Sequence, residues 1–310
     1  MSGLESASAF APATCGNVCV GYDILGLCYS GVGDLVTVTK TKRPTVTISK
    51  ITGVVTNLPK DASKNTAGIV LQELIATQKL DFGFELSIEK GIYAGSGMGG
   101  SAASAVGALV AANHLLSEPL SKEKLLQLSL KGEELASGHA HGDNAAPCLF
   151  GGLTLVKSNP LKVYPLPFPS QIVLLLIHPQ LVVETKRARE VLRDSYSLAE
   201  ISAQSQNLAG FLAGAASSNL ELLSESFHDL LVEPLRSPLT EGFAECRELA
   251  QKAGVLGYCL SGSGPSQLAL CRDAAQAEDL KVKIQNHYQK LKIESEAYIG
   301  PLNTDGAKLL

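Results

Sequence analysis

The chain has 310 residues, enough for two domains with cores of their own, and it is 45% hydrophobic and 18% charged, which excludes a disordered polymer. A net charge of -4 with no block of lysine or arginine gives no electrostatic case for nucleic acid. No basic patch with an apolar core opens the chain, the longest aliphatic run (Ile172 to Ile177) is too short to span a bilayer, and seven cysteines without a C-x-x-C pair read as free thiols. The expectation is a cytoplasmic protein with neither a membrane nor a nucleic-acid partner.

The first signature is the polar, glycine-containing stretch Pro12-Ala13-Thr14-Cys15-Gly16-Asn17-Val18-Cys19-Val20-Gly21-Tyr22-Asp23-Ile24-Leu25-Gly26. β-Branched residues from Leu35 to Ile51 predict two strands broken at Lys42-Arg43-Pro44. Asn65 to Leu80 predicts a helix with Ile69, Leu71, Leu74 and Ile75 as its apolar stripe, and Phe82 to Glu89 alternates as a half-exposed strand does. Helices follow over Ser101–Leu116 and from Ser121 to about Ser137, the latter with Leu125, Leu128 and Leu135 on one side. A polar loop from Gly138 to Asn144 comes next. Four prolines (Pro160, Pro165, Pro167 and Pro169) suggest a domain break near 160, dividing the chain into 1–160 and 161–310. Beyond it the pattern reads as a strand (Ile172–Ile177), helices (Lys186–Arg193, Glu200–Leu223, Glu241–Ala253) and two strands (Leu256–Leu260, Gln267–Cys271). A tight return through Ser261-Gly262-Ser263-Gly264-Pro265 joins those two strands, and a helix (Ala274–Leu291) and a strand (Glu294–Ile299) end the pattern. The whole is an α+β architecture.

The run Gly95-Ser96-Gly97-Met98-Gly99-Gly100-Ser101-Ala102-Ala103-Ser104 carries most of the chemistry. Glycine lets backbone N–H groups approach a ligand closely, and a helix N-terminus adds free N–H groups and the positive end of its dipole. Together they predict a phosphate site. Gly95, Gly97 and Gly100 match G-x-G-x-x-G, but the alternating strand before them argues against a doubly wound dinucleotide fold, whose first strand is covered on both faces. The P-loop pattern G-x-x-x-x-G-K-[ST] is absent.

Three ordered signatures, at Pro12–Gly26, at Gly95–Ser104 and at Leu260-Ser261-Gly262-Ser263-Gly264-Pro265-Ser266, make the chain resemble the GHMP kinases. That superfamily is named for galactokinase, homoserine kinase, mevalonate kinase and phosphomevalonate kinase. His141-Gly142-Asp143-Asn144-Ala145-Ala146-Pro147-Cys148 and Glu233-Pro234-Leu235-Arg236 draw the resemblance toward its homoserine kinase branch. It spans Ala11 to Gly306. The implied fold is a two-domain α+β one: an N-terminal mixed domain bearing the phosphate loop, and a C-terminal ferredoxin-like sandwich. The implied activity is transfer of the terminal phosphoryl group of ATP to the side-chain hydroxyl of L-homoserine, with Mg2+. A homodimer is an expectation from the family.

Carried over residue by residue, the resemblance places ATP on Tyr93, Ala94, Gly95, Ser96, Gly97, Met98, Gly99, Gly100, Ser101, Ala102 and Ala103, with Asn65 near the nucleoside. Asn65 also reads as an ordinary N-cap. Mg2+ falls to Ser101 and Glu133; Glu134 is adjacent, but helix neighbours point about 100° apart, so one of the two faces the site. An amino acid's carboxylate calls for arginine forks, matched by Arg189 and Arg236, and its ammonium calls for a carboxylate, matched by Asp23. Asn17, His141, Asn144 and Thr185 line the rest of the substrate site. Lys186 and Arg187 read as a solvated basic face. His139-x-His141 lacks a third metal ligand. Asp143 has two readings, a general base or a residue that orients its loop or caps the next helix. Gly262, Ser263 and Gly264 either close the nucleotide site or form a simple hairpin turn. The chain departs from the usual family pattern at Tyr93 (commonly proline), Met98 (commonly leucine) and Gly100 (commonly serine). Two other readings stay open: a sibling kinase of a sugar or mevalonate, and a sensor that binds ATP and substrate without turnover.

Overall fold

The computed structural model describes residues 4–138 and 141–310. In chain order the elements of its first half are β1 (Ser6–Gly16), β2 (Leu25–Thr41), β3 (Val46–Gly53), α1 (Thr66–Gln78), β4 (Gly83–Lys90), α2 (Gly100–His114), α3 (Lys122–Ser137), α4 (Ala145–Phe150), β5 (Leu153–Ser158) and β6 (Leu161–Leu166). The second half holds β7 (Val173–Pro179), α5 (Thr185–Glu190), α6 (Leu198–Ser217), α7 (Leu220–Ser226), α8 (Glu233–Arg236), α9 (Phe243–Lys252), β8 (Gly257–Leu260), β9 (Gln267–Cys271), α10 (Ala274–Lys290), β10 (Ser295–Gly300) and β11 (Lys308–Leu309).

Two sheets organise these elements. The first runs β11-β1-β2-β4-β3, with β5 joined to β2 and β6 to β5. β2 is its spine: Leu25–Leu27 pair with β5 and Leu35–Thr41 with β4. β4 buries Phe84, Leu86 and Ile88 and exposes Glu85 and Glu89, as its alternation predicts. It is antiparallel to β2 and parallel to β3, which is not the doubly wound arrangement. The second sheet runs β10-β7-β9-β8 with every neighbour antiparallel. With α10 crossing from β9 to β10, this is the split βαβ layout of a ferredoxin-like sandwich.

The alanine-rich α2 is buried on nearly all sides and packs on β1, β2, α1 and α3. Small side chains permit that approach: a Cβ on Gly107 would lie 2.9 Å from Val36. The composition therefore reflects a central core helix, and its N-terminus is aimed out of the core. β7 is aliphatic from Val173 to Ile177 because both its faces are covered there. Leu174 and Leu176 join the core shared with the first sheet, whereas Leu175 and Ile177 join a second core with Phe243, Cys246, Leu280 and Tyr288 of α9 and α10.

The structure differs from the sequence reading in several elements. β1 and the first half of β2 were not expected as strands, because alanine, proline and glycine weaken the strand signal there. The hairpin β5–β6 was also missed. The division expected at 160 falls at the turn of that hairpin, and the chain leaves the first sheet only after Leu166. The single helix expected over Glu200–Leu223 is two: Ser218 is left-handed (φ 56°), and Asn219 accepts the Leu222 N–H at 3.1 Å to start α7. Of the three leucines expected on one side of α3, Leu125 and Leu128 are buried and Leu135 is 40% exposed.

Candidate active site

A cleft of about 410 Å3 opens where the two sheets meet. Its floor is the glycine loop. Gly95, Gly97 and Gly99 all have positive φ (63°, 76° and 67°), a region costly to other residues. Gly99 is the N-cap of α2 and supplies no capping side chain, and the first turn of α2 holds no acidic residue. The N–H groups there remain available to an anion, with the helix dipole behind them. Ser96 Oγ is buried and has no hydrogen-bond partner among the described residues, a donor suited to a phosphate oxygen.

The loop is strapped from the second sheet. Ser261 Oγ donates to Gly97 O at 2.8 Å, and the Ser266 N–H donates to Ser96 O at 3.1 Å. Gly97 has no room for a side chain, since a Cβ there would lie 2.3 Å from Ser261 O. The segment Ser261–Ser266 is therefore both the β8–β9 hairpin turn and a wall of the cleft. Gly262 and Ser263 line it; Gly264 does not.

The same cleft is lined by a polar cluster built on the turn between β1 and β2. Asn17, Val18 and Cys19 are consecutively left-handed (φ 69°, 44° and 61°), and Asp23 is again (φ 59°). For the β-branched Val18 this is a strained backbone, of the kind that persists where surroundings over-determine it. The Asn17 amide does so: Nδ2 donates to Gly262 O at 2.9 Å while Oδ1 accepts the Asp23 N–H at 3.0 Å. Asp23 is thereby held against Arg189, whose Nη2 and Nη1 donate to Oδ1 and Oδ2 at 3.0 and 3.3 Å. His141 Nδ1 lies 3.4 Å from Asp23 Oδ2. Arg236 is 3% exposed and donates to Ala188 O and Gly262 O at 2.9 and 3.3 Å. Both guanidiniums lie near the Tyr22 ring, at 5.8 Å from its centroid for Arg189 and 5.2 Å for Arg236, and Arg189 donates to the Tyr22 hydroxyl at 3.0 Å.

Two buried carboxylates complete the site. Burial, with Asp143 nearby, pushes Glu133 up to about 8. Burial, followed by the charge of Asp23, pushes Asp143 up to about 7. Asp143 sits so close to Gly16 that a Cβ there would meet its Oδ2 at 2.3 Å. Glu133 faces the cleft from α3, whereas the Glu134 side chain is 59% exposed.

The structure gathers most of the expected residues. Asn17, Asp23, Asn65, Tyr93, Ala94, Gly95, Ser96, Gly97, Gly99, Gly100, Ser101, Ala102, Glu133, His141, Asp143, Asn144, Thr185, Arg189, Arg236, Gly262 and Ser263 all line the cleft. Met98 and Ala103 do not; they are buried beneath the loop. Asn65 lines the cleft and also caps α1, accepting the Ala67 N–H at 3.0 Å. Asp143 is not the cap of α4; that position belongs to Asn144, whose Oδ1 instead accepts from Thr14 Oγ1 at 2.9 Å. Lys186 and Arg187 are exposed, unlike Arg189 on the same helix. His139 lies outside the described residues. Among the described residues no group of three His, Cys, Asp or Glu side chains is arranged around a metal.

Sequence reasoning missed Tyr22 as a shared contact of the two arginines, and it missed Lys90 altogether. Lys90 Nζ is paired with Asp34 and donates to Gly100 O and Ser104 Oγ, both at 2.9 Å, beneath the start of α2. Asp34 Oδ1 accepts the Gly91 and Ile92 N–H groups at 3.1 and 3.2 Å. A lysine closing an otherwise alternating strand just before a glycine loop was the available signal.

Two family models match, one in each half of the chain: GHMP kinases N terminal domain over residues 63–152 and GHMP kinases C terminal over residues 207–290. A homoserine kinase of Xanthomonas campestris pv. campestris (strain B100) is 46% identical over 308 residues, covering 99% of this chain and 95% of that protein. One from Chloroherpeton thalassium (strain ATCC 35110 / GB-78) is 36% identical over 319 residues, covering 99% and 100%. The crystal structure of homoserine kinase from Cytophaga hutchinsonii ATCC 33406 superposes with a TM-score of 0.96 at 38% identity, over 100% of this chain and 99% of that one. An L. major mevalonate kinase crystallised with R-mevalonate shares the fold alone, with a TM-score of 0.70 at 14% identity over 96% of this chain and 95% of that one. The chain belongs to the GHMP kinase family, and within it stands among relatives that are homoserine kinases.

Proposed function

We propose that this chain transfers the γ-phosphoryl group of ATP to the side-chain hydroxyl of L-homoserine. The observation that carries the reading is that two functions line one cleft. A glycine loop and helix N-terminus suit a polyphosphate, and the Arg189–Asp23 pair with Arg236 suits a zwitterionic amino acid. A carboxylate taken up by the arginines and an ammonium taken up by Asp23 replace one charge-balanced pair by another. Neutral sugars offer no such exchange.

Phosphoryl transfer is mostly positioning and charge neutralisation. The amides at the start of α2 and the Ser96 hydroxyl hold the phosphates, and the wall at Gly262 and Ser263 keeps the loop in register with Asn17. Asp143, at about 7, is poised to accept a proton from the reacting hydroxyl near neutral pH. The buried carboxylate of Glu133, pushed up to about 8, gives up its proton at neutral pH when positive charge comes close, so Glu133 with the Ser101 hydroxyl fits Mg2+. Bound there, Mg2+ supplies charge neutralisation on the phosphate oxygens. Seven free, buried thiols suit a reducing cytoplasm.

The test is ADP release from purified protein with ATP and Mg2+, comparing L-homoserine with mevalonate, galactose, L-serine and L-threonine. Selective stimulation by L-homoserine is expected. Stimulation by mevalonate or galactose instead would overturn the roles given to Asp23, Arg189 and Arg236. Binding of ATP with no turnover of any acceptor would favour a sensor.

A further inference from the structure

Tyr93 opens the phosphate loop, yet its side chain is held by the other sheet. Its ring stacks on His178 of β7, with centroids 4.9 Å apart and planes inclined by 26°. Its hydroxyl donates to Glu296 Oε1 of β10 at 2.7 Å, and Tyr298 donates to the other carboxylate oxygen at 2.5 Å. His178 and Glu296 are direct partners in the β7–β10 pair, so one rung of the second sheet supplies both contacts. The circuit then closes on the loop. His178 Nδ1 is 3.0 Å from Ser266 Oγ, and the Ser266 N–H reaches Ser96 O. The loop is thus gripped at Tyr93 and again at Ser96, on either side of the left-handed Gly95.

We propose that Tyr93 is a positioning residue that fastens the phosphate loop to the His178–Glu296 rung, so that the second domain sets part of the cleft's affinity for a polyphosphate. The physical reason is entropic. A loop with three positive-φ glycines loses much backbone freedom when it closes on a ligand, and a loop already held in place loses less. The hydroxyl-to-carboxylate bond is charge-assisted, hence stronger than a neutral one. The ring stack fixes the direction in which the hydroxyl points, and burial keeps the His178 ring uncharged at neutral pH. Tyr93 acts through the loop and not on a reacting atom. The identification of the polyphosphate as that of ATP rests on the function proposed above.

The experiment measures binding of a non-hydrolysable ATP analogue with Mg2+ by calorimetry, and steady-state kinetics, for the unaltered protein, Tyr93→Phe, Glu296→Met (which removes the acceptor) and the double variant. Tyr93→Phe keeps the stack and removes only the hydrogen bond. Each single variant is expected to weaken analogue binding and raise KM for ATP by about tenfold, and the double variant by no more than either alone. KM for L-homoserine, kcat and the melting temperature stay near those of the unaltered protein. The latch is overturned if Tyr93→Phe binds the analogue as the unaltered protein does, or if the two penalties multiply. A joint fall of kcat and melting temperature with a rise in both KM values would reduce Tyr93 to a packing residue and equally overturn it. Failure of the unaltered protein to bind the analogue would overturn the functional reading itself, and the latch with it.

Discussion

Arg189 of α5 and Asp23 of the β1–β2 turn grip each other with two hydrogen bonds of 3.0 and 3.3 Å, although 166 residues separate them in the chain. The pair lies in the cleft, about a quarter exposed on each side, at 22% for both side chains. Its two ends carry the charges that an amino-acid zwitterion would meet in opposite order. Arg189 Nε is buried with no hydrogen-bond partner among the described residues, leaving the guanidinium capacity for a further acceptor.

Loss of either partner should therefore show in the acceptor substrate. Arg189→Met is expected to raise KM for L-homoserine roughly 100-fold, the effect of losing a charge-assisted bidentate contact, with KM for ATP changed little. Arg189→Lys should recover only a small part, because a point charge cannot reproduce the planar fork. Steady-state kinetics with each substrate varied in turn checks this. Equal effects on both substrates would remove Arg189 from the acceptor site.

Glu133 and Glu134 are neighbours with opposite surroundings, one buried in the cleft and one in solvent. Glu133→Gln is expected to lower kcat by about 10^2–10^3, the scale of losing one preorganised electrostatic group, while L-homoserine still binds. Glu134→Gln should stay within about twofold of the unaltered protein. Rapid-quench turnover together with calorimetric binding separates the two quantities. No effect of Glu133→Gln on turnover would sink the metal assignment.

The Lys90–Asp34 pair sits under the start of α2 with side chains 4% and 0% exposed. Lys90→Met leaves Asp34 as an uncompensated buried charge, which costs about 3–5 kcal/mol. Chemical denaturation should report that loss, and Lys90→Arg should do better than Lys90→Met. A Lys90→Met variant as stable as the unaltered protein would mean that the Gly91 and Ile92 N–H groups and the Ser104 hydroxyl, which donates to Asp34 Oδ2 at 2.7 Å, satisfy Asp34 without the cation.

Stability should carry an acid-side signature from His178. Burial pushes its ring down to about 4 from an ordinary 6.5, so between those values the unfolded chain holds a proton that the folded chain refuses. The contribution is complete above pH 6.5 and is lost as pH falls toward 4, by up to about 1.4 kcal/mol per pH unit. Glu133 and Asp143, both raised, work in the opposite sense, favouring the folded state as pH falls from about 8 and about 7 toward the ordinary carboxylate range. The His178→Phe variant isolates the histidine: its stability deficit should shrink steadily from pH 7 to pH 4. A deficit that stays constant over that range would contradict a buried neutral ring.

The sequence by itself determined whatever is written within a few residues. The alternation of Phe82–Glu89, the glycines at 95, 97 and 99, and the uncapped start of α2 all follow from local backbone chemistry. The phosphate site was legible because hydrogen-bond donors of one loop and one helix end need no distant partner. The order of the three signatures carried the family. The tertiary structure decided the rest. The break between α6 and α7 depends on one left-handed serine that leaves the helical period intact. The choice of Glu133 over Glu134 depends on which side of α3 meets α1 and α2. The pairing of Lys90 with Asp34, the contact of two arginines with Tyr22 and the grip of Glu296 on Tyr93 have no local signature. The last of these joins residues 203 apart in the chain. Such contacts exist only once two sheets have been set side by side, because a hydrogen bond needs its partners within about 3 Å and chain spacing alone does not bring them there.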